Sequence, residues 1–288
     1  MTEVREAPLA GAALGLDAPA EKDQRLRQSL NDLGSVVVAF SGGVDSAYLA
    51  YVASAELGPR ALCITAESPS YPEHHRALAT RLAGELGFRH EFILTREVEL
   101  PEYRANPANR CYYCKRELYA RLTALARERR FDAIIDGSNA DDRGDYRPGR
   151  AAAREFGVRS PLDEVDLSKD EIRELSRRAG LPTWDEPASA CLSSRVPYLS
   201  EVTPEKLRMI ERAEDVLRSL GFRVIRVRHH DEIARLEIGR DEMARALEPG
   251  TAETIVRELK GIGYQHVTID LQGYRTGSLN ERLRVRPA

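Results

Sequence analysis

The chain of 288 residues lacks a long apolar run, an excess of basic charge and an abundance of cysteine. No apolar run approaches the roughly 20 residues that a membrane-spanning helix needs, so we expect no membrane anchor. With 43 basic against 46 acidic residues, the sequence has no global basic field of the kind that draws a protein to nucleic acid. We therefore expect no nucleic-acid partner.

The first 20 residues lack the basic start and apolar core of a secretory signal. They are rich in Ala, Pro and Gly, and we interpret them as a disordered tail. Without an export signal, the four cysteines are expected to be reduced thiols that serve catalysis or metal binding rather than disulfides. The expected location is the cytoplasm.

The most informative stretch is an apolar, β-branched run at 36–40 that enters a glycine turn and then an apolar helix. The turn reads Ser41-Gly42-Gly43-Val44-Asp45-Ser46. Such a run is typical of a buried parallel strand. The glycines let the backbone approach a ligand closely, and the first N–H groups of the helix can bind an anion. The pattern predicts a phosphate-binding cradle, although no lysine follows the glycines as it does in a P-loop.

This turn resembles the SGGxDS pyrophosphate loop, or PP-loop, of the N-type ATP pyrophosphatases at every defined position. Those enzymes cleave ATP between the α- and β-phosphates, adenylate a substrate oxygen and release pyrophosphate. The resemblance implies that ATP is a cofactor. It assigns ATP binding to Ser41, Gly42, Gly43, Asp45 and Ser46.

Strands and helices alternate after the loop, with further strands predicted at 61–66, 90–94 and 133–136. This alternation predicts an α/β fold with a parallel sheet covered by helices, as in the adenine nucleotide α-hydrolase-like domain of the PP-loop enzymes. From residue 203 the order changes to α-β-β-α-β. We therefore predict a tail (1–20), a PP-loop ATP pyrophosphatase domain (21–200) and a smaller α+β domain for substrate binding or oligomerisation (201–288).

The fourth predicted strand ends in a polar turn that carries an amide and two carboxylates. The turn reads Gly137-Ser138-Asn139-Ala140-Asp141-Asp142. Such groups at the carboxyl end of a strand suit Mg²⁺ or a ribose, although a polar Asx turn would look similar. The segment resembles a Gly-Thr/Ser-Asn motif of the same ATP pyrophosphatases. We therefore assign Gly137, Asn139 and Asp141 to ATP binding, and Asp45 with Asp141 to Mg²⁺.

The cysteines fall into three settings. Cys63 lies in an apolar strand and is interpreted as a core residue. Cys111 and Cys114 form a C-x-x-C at a predicted helix start, where the helix dipole lowers thiol pKa values; a redox dithiol, a metal half-site and two plain helix residues all remain open. Cys191 lies among small residues, and Arg195 can hold it as a thiolate, which makes it a candidate nucleophile.

From about residue 33 to 281 the chain resembles the LarE-type ATP-dependent sulfur transferases. The matching segments are 41–46, the CYYCK at 111–115, 137–142, the ACLSSR at 190–195 and the GYRTGS at 273–278. The resemblance implies assembly of the nickel-pincer nucleotide cofactor of lactate racemase, by a homo-oligomer. ATP adenylates a carboxylate of a pyridinium dicarboxylate mononucleotide, and Cys191 matches the sacrificial cysteine that donates sulfur and becomes dehydroalanine.

A small nucleotide substrate with phosphate and carboxylate groups calls for arginines in its pocket. The candidates are Arg195, Arg226, Arg228 and Arg275, with Glu237 facing the same pocket. A sacrificial enzyme needs only Cys191, yet Cys111, Cys114 and Cys191 together could hold a [4Fe–4S] cluster with one open iron that carries sulfide. Both sulfur sources stay open at this point.

Three other interpretations compete with sulfur transfer to a small molecule. A tRNA 2-thiolation enzyme also joins a PP-loop to cysteines, but it would need a basic surface for RNA. A non-catalytic ATP-binding regulator would have no use for Cys191. An ammonia-using ligase would leave the cysteines unexplained.

Overall fold

The computed structural model describes residues 17–144, 146–187, 190–275 and residue 278. Most of the predicted tail, residues 1–16, lies outside these residues. The first helix begins at Ala18, three residues before the predicted domain start. Asp17 explains this start, because its carboxylate accepts a hydrogen bond from the Ala20 amide at 3.0 Å and caps the helix.

The larger unit alternates strands with helices. Its elements are α1 (Ala18–Leu33), β1 (Val36–Ala39), α2 (Val44–Leu57), β2 (Ala61–Glu67), α3 (Glu73–Leu86), β3 (His90–Leu94), α4 (Pro101–Arg104), α5 (Arg110–Arg129), β4 (Ala133–Asp136), α6 (Gly149–Glu155), α7 (Pro161–Glu164) and α8 (Lys169–Arg178). The predicted capping box at the start of α8 is confirmed, since Ser168 and Glu171 each bond the other's backbone N–H.

The four strands form one parallel sheet in the order β3-β2-β1-β4, which confirms the predicted α/β fold. Side chains of β1 alternate between the two faces: Val36 and Val38 pack with α1, α2, α3 and α8, whereas Val37 packs with α5 and α6. Both faces are buried, as the β-branched run requires. The central position of β1 brings the ends of β1 and β4 side by side, where ligands bind in such sheets.

The C-terminal unit is a small α+β structure. Its elements are α9 (Pro204–Ser219), β5 (Ile225–His230), β6 (Ile233–Ile238), α10 (Met243–Ala246), α11 (Pro249–Ile262) and β7 (His266–Ile269). β6 lies between an antiparallel β5 and a parallel β7. The single helix predicted at 241–260 is two helices, because Pro249 lacks an N–H group and begins a new one.

A buried apolar cluster joins the two units. Its members come from α4 and the short turn before it, from the loop at 191–202 and from α9. The members are Val98, Tyr103, Leu192, Val196, Val202, Leu207 and Ile210. The predicted boundary near residue 200 therefore falls in a segment that packs against both units.

A fully buried carboxylate reinforces this junction. Glu214 of α9 accepts hydrogen bonds from Arg195 at 2.8 and 3.0 Å, from Arg218 at 3.0 Å and from the Val227 amide at 3.1 Å. Although burial opposes its charge, pairing with the two arginines lowers the pKa of Glu214. One side chain thus links the loop that follows Cys191 to α9 and β5.

We expect Glu214→Gln to lower the free energy of unfolding by about 3 kcal/mol at neutral pH, because it leaves the buried Arg195 without a counter-charge. Urea denaturation would measure the loss. A depressed carboxyl pKa gives stability that is present above the unfolded-state pKa and disappears as pH falls through the folded-state pKa, so the gap between the two proteins should narrow in acid. Glu205→Gln, on the exposed side of the same helix, is the matched control; a loss as large in the control would contradict this role for Glu214.

Candidate active site

The PP-loop forms a compact turn between β1 and α2. Gly42 has φ +77°, a conformation that favours glycine, and Gly43 is the N-cap of α2 without a side-chain capping bond. Ser46 Oγ lies 3.0 Å from Ser41 Oγ and accepts from the Ser41 amide at 3.2 Å. The loop is therefore held by its own serines, and the first N–H groups of α2 receive no side-chain cap. This is the geometry of an anion cradle.

The polar turn after β4 lies directly against this loop. A Cβ placed on Gly137 would lie 2.9 Å from the Ser46 amide nitrogen, so only glycine allows the two backbones to approach this closely. The Asn139 side chain accepts from the Asp141 amide at 3.0 Å and shapes the turn. The structure thus brings the two predicted ATP segments together. The Asn139 side chain binds the backbone of its own turn.

Lys169, which sequence reasoning missed, connects the two predicted magnesium ligands. Its ammonium donates to Asp45 at 2.6 Å, and its backbone N–H donates to Asp141 at 2.8 Å. The second carboxylate oxygen of Asp45 is buried and has no hydrogen-bond partner among the described residues. Burial, with a smaller effect of Asp45, raises the pKa of the adjacent Asp142. The orphaned oxygen of Asp45, together with Asp141, fits a Mg²⁺ that is bound by two carboxylates and keeps water as its other ligands.

Cys191 precedes a short 3₁₀ turn, Leu192–Arg195, and its side chain is half-buried. The Leu192 amide donates to the Ser70 carbonyl at 2.9 Å, which attaches the turn to the segment that follows β2. Arg195 donates to the Cys191 carbonyl at 3.0 Å, while the rest of its guanidinium pairs with Glu214. The predicted thiolate partner therefore binds the backbone of the cysteine loop, and its charge is largely balanced.

The other cysteines differ from the prediction in their ionisation. Burial raises the pKa of Cys63 to about 12, which agrees with a core role. The prediction that a helix start lowers the pKa values of Cys111 and Cys114 is wrong. Surrounding protein atoms and the charge of Cys191 raise the pKa of Cys111, although its side chain reaches solvent. Burial, followed by the carboxylate of Glu97, raises the pKa of Cys114 well above its ordinary value.

Two buried charged residues near the thiols were also missed. Glu97, 2% exposed, accepts hydrogen bonds from Ser68 and Ser70, and its other oxygen has no partner among the described residues. Arg110, 3% exposed, is the first residue of α5. Charged residues are rarely this deeply buried without an opposite charge, and the sequence does not show which residues are buried.

A cavity of about 360 Å³ lies beside the Cys191 turn, between that turn and the sheet of the C-terminal unit. Its charged and polar lining consists of Arg195, Arg228, Arg235, Arg275, Tyr198, His230, Asp270, Gln272 and Ser278. Three of the four arginines were predicted as substrate ligands, and Arg235 was not. Its size and its arginines suit a small anionic ligand.

The two remaining predicted substrate residues occupy different places. Glu237, 1% exposed, accepts two hydrogen bonds from Arg228, at 2.9 and 2.8 Å, and positions it rather than lining the cavity. Arg226 lines a second cavity of about 270 Å³ with Arg195, Arg218 and His74. Burial and the charges of Arg195 and Arg228 lower the pKa of Arg226.

Within the described residues, no group of three or more His, Cys, Asp or Glu side chains is close enough to hold a metal ion. The three cysteines influence one another electrostatically, so they lie near one another. No described helix is long and apolar enough to cross a membrane.

These features define an ATP-using α/β protein of the PP-loop class. They are the strand β1, an SGGVDS loop that its own serines stabilise, a helix start without a side-chain cap, and an adjoining turn that carries carboxylates. In agreement, residues 23–115 match the asparagine synthase family. One component of the glutamine-hydrolyzing GMP synthase from Methanopyrus kandleri is 26% identical over 68% of this chain and 66% of its own length.

Two relatives are similar over nearly their whole length. An uncharacterized protein of Synechocystis is 44% identical over 91% of this chain and 98% of its own length. The pyridinium-3,5-bisthiocarboxylic acid mononucleotide synthase of Lactiplantibacillus plantarum is 36% identical, over 92% and 95% respectively. The chain belongs to the family of this synthase, the LarE family, and the resemblance noted in its motifs is confirmed.

We expect Gly137→Ala to weaken ATP binding at least tenfold, because the added methyl group would push the β4 turn away from the PP-loop. Isothermal titration calorimetry with a non-hydrolysable ATP analogue and Mg²⁺ would measure the change. Gly144→Ala is the control, since its Cβ would meet no atom within 4 Å. Equal affinities for the Gly137→Ala variant and the wild type would show that ATP binding does not need this contact.

Proposed function

We propose that this protein is an ATP-dependent sulfur transferase that converts a carboxylate of a pyridinium-3,5-dicarboxylate mononucleotide to a thiocarboxylate, in the synthesis of a nickel-pincer nucleotide cofactor. The observation that carries the proposal is the position of Cys191. Its turn is attached to Ser70, beyond the end of β2, on one side, and borders the arginine-lined cavity on the other. The name of the Lactiplantibacillus relative supports the substrate class.

In the first step, the PP-loop and α2 would bind the phosphates of ATP. Asp45 and Asp141 would hold Mg²⁺, which neutralises charge on the phosphate oxygens. A ring carboxylate of the substrate attacks the α-phosphorus, and pyrophosphate leaves. The arginines of the 360 Å³ cavity would hold the anionic groups of the substrate during this step.

In the second step, Cys191 Sγ attacks the adenylated carbonyl carbon, and AMP leaves with the bonding electrons of the cleaved C–O bond. The product is a thioester between substrate and protein. Removal of the Cα proton of Cys191 then breaks the Cβ–S bond. The sulfur stays on the substrate as a thiocarboxylate, and residue 191 becomes dehydroalanine.

A cluster-borne sulfur was the other predicted source. We derive no step through a cluster, and the iron content of the purified protein remains the measurement that decides between the two sources. The homo-oligomeric state and the cytoplasmic location remain predictions.

We expect anaerobically purified protein to lose one H₂S equivalent of mass at Cys191 after reaction with ATP, Mg²⁺ and the pyridinium substrate. Intact-protein and peptide mass spectrometry, with iron analysis, would measure this. Cys191→Ala should form no thiocarboxylate yet still release pyrophosphate. Cys63→Ala, which removes a buried thiol in the core, is the control.

Unchanged polypeptide mass with bound iron and repeated turnover would replace the sacrificial route with a cluster-borne one. Absence of any thiocarboxylate, together with AMP release that depends on tRNA, would overturn the small-molecule substrate in favour of tRNA thiolation.

Arg275→Gln should raise the KM for the pyridinium substrate about tenfold and leave the KM for ATP unchanged, because a charged hydrogen bond to an anion is worth about 1.5 kcal/mol. Initial rates of pyrophosphate release within the single turnover that Cys191 allows, measured at varied concentrations of the pyridinium substrate and of ATP, would report both half-saturation constants as apparent KM values. Arg240→Gln, which removes an arginine outside the cavity lining, is the control. An equal rise in both KM values would indicate a general structural effect instead of substrate binding.

A further inference from the structure

Arg110 differs from the other deeply buried arginines near Cys191 in its partners. Arg195 and Arg228 each form two hydrogen bonds with a buried carboxylate, Glu214 and Glu237 respectively. Arg110 instead donates to two neutral oxygens, the Asn106 side chain and the Ser193 carbonyl. Among the described residues, no carboxylate forms an ion pair with it.

A buried cation without a counter-charge is strongly unfavourable, so an anion is expected beside Arg110. The titratable groups that influence it are the thiol of Cys111, the next residue of α5, the thiol of Cys191 and the hydroxyls of Tyr103 and Tyr198. Of these groups, sulfur carries negative charge during the proposed reaction.

The residues around Arg110 also hold the loop that carries the sulfur. Arg110 Nη1 donates to the Ser193 carbonyl at 2.9 Å, and the Tyr103 hydroxyl lies 2.6 Å from Ser193 Oγ. Further along the loop, Asn106 Nδ2 donates to the carbonyls of Pro197 at 2.7 Å and Ser200 at 3.0 Å. The segment from α4 to the first residue of α5 therefore fixes the cysteine loop near Ser193 and again near Ser200.

We propose that Arg110 is a positioning residue for sulfur transfer: it anchors the Cys191 turn through Ser193 and supplies the positive charge that faces the anionic sulfur. This role rests on the proposed function. It replaces Arg195, whose charge Glu214 balances, as the residue that stabilises the sulfur anion.

The local charge at Cys191 can be measured without turnover. Two alkylation rates are measured at one fixed pH, one with the anion iodoacetate and one with the neutral reagent iodoacetamide. The ratio of the iodoacetate rate to the iodoacetamide rate rises when a cation lies near the sulfur. Peptide mass spectrometry assigns the modification to Cys191. We expect Arg110→Gln to lower the ratio about fivefold, the size of effect expected for one unit charge near a partly solvated site. Arg110→Lys should retain most of it.

Arg104→Gln is the matched control, because Arg104 binds the same loop through Glu201 at the surface. Its ratio should equal that of the wild type. In parallel, Arg110→Gln should slow thiocarboxylate formation at least tenfold while leaving pyrophosphate release unchanged, because the adenylation site lies at the PP-loop.

An unchanged reagent ratio in folded Arg110→Gln would overturn the proposal. If that variant does not fold, Arg110→Lys decides: a ratio near that of the wild type supports a role of charge, and a fivefold fall contradicts it. Should the wild type form no thiocarboxylate at all, the proposed function fails, yet the reagent ratio still tests the charge at Cys191.

Discussion

The ion pair between Glu214 and Arg195 is the interaction on which the site depends. Glu214 lies on α9 and also binds Arg218 and the Val227 amide, whereas Arg195 holds the carbonyls of Ala190 and Cys191. One buried carboxylate thereby fixes the reactive turn relative to both the helix and the sheet of the C-terminal unit. Because the pair is fully desolvated, loss of either partner leaves an uncompensated charge, and the geometry of the turn is coupled to the stability of the junction.

Charge compensation then separates the arginines by role. Arg228 is paired with Glu237 and presents its remaining donors toward the cavity, where it also contacts Ser278. Among the described residues, the hydrogen-bond partners of Arg110 are neutral, and the thiols of Cys111 and Cys191 influence it electrostatically. The arginine-lined cavity and Arg110 thus lie on two sides of one turn. In the proposed reaction, different cations would bind the substrate and stabilise the nucleophile, so neither role would weaken the other.

Parts of this site were predictable because they depend on local chain geometry. The β-branched run, the SGGVDS turn and the apolar helix are consecutive in the chain, so the PP-loop could be predicted, and the parallel order of the sheet brings the Asn139 turn beside it. The ionisation of Cys111 and Cys114 was predicted wrongly for a related reason. A helix dipole is a local effect, whereas burial and the charges of Glu97 and Cys191 come from segments distant in the chain.

The sequence alone determined the fold class, from the alternation of strands and helices, and the PP-loop, from a few consecutive residues; Cys191 as the sulfur donor stays a prediction. Tertiary structure alone decided which charges are balanced. Lys169 meets Asp45 across 124 positions of the chain, and Arg110 meets Ser193 across 83. Hydrophobic spacing and short motifs carry no information about such pairs, because the energy of a buried charge depends on which distant groups packing brings within a few ångströms of it.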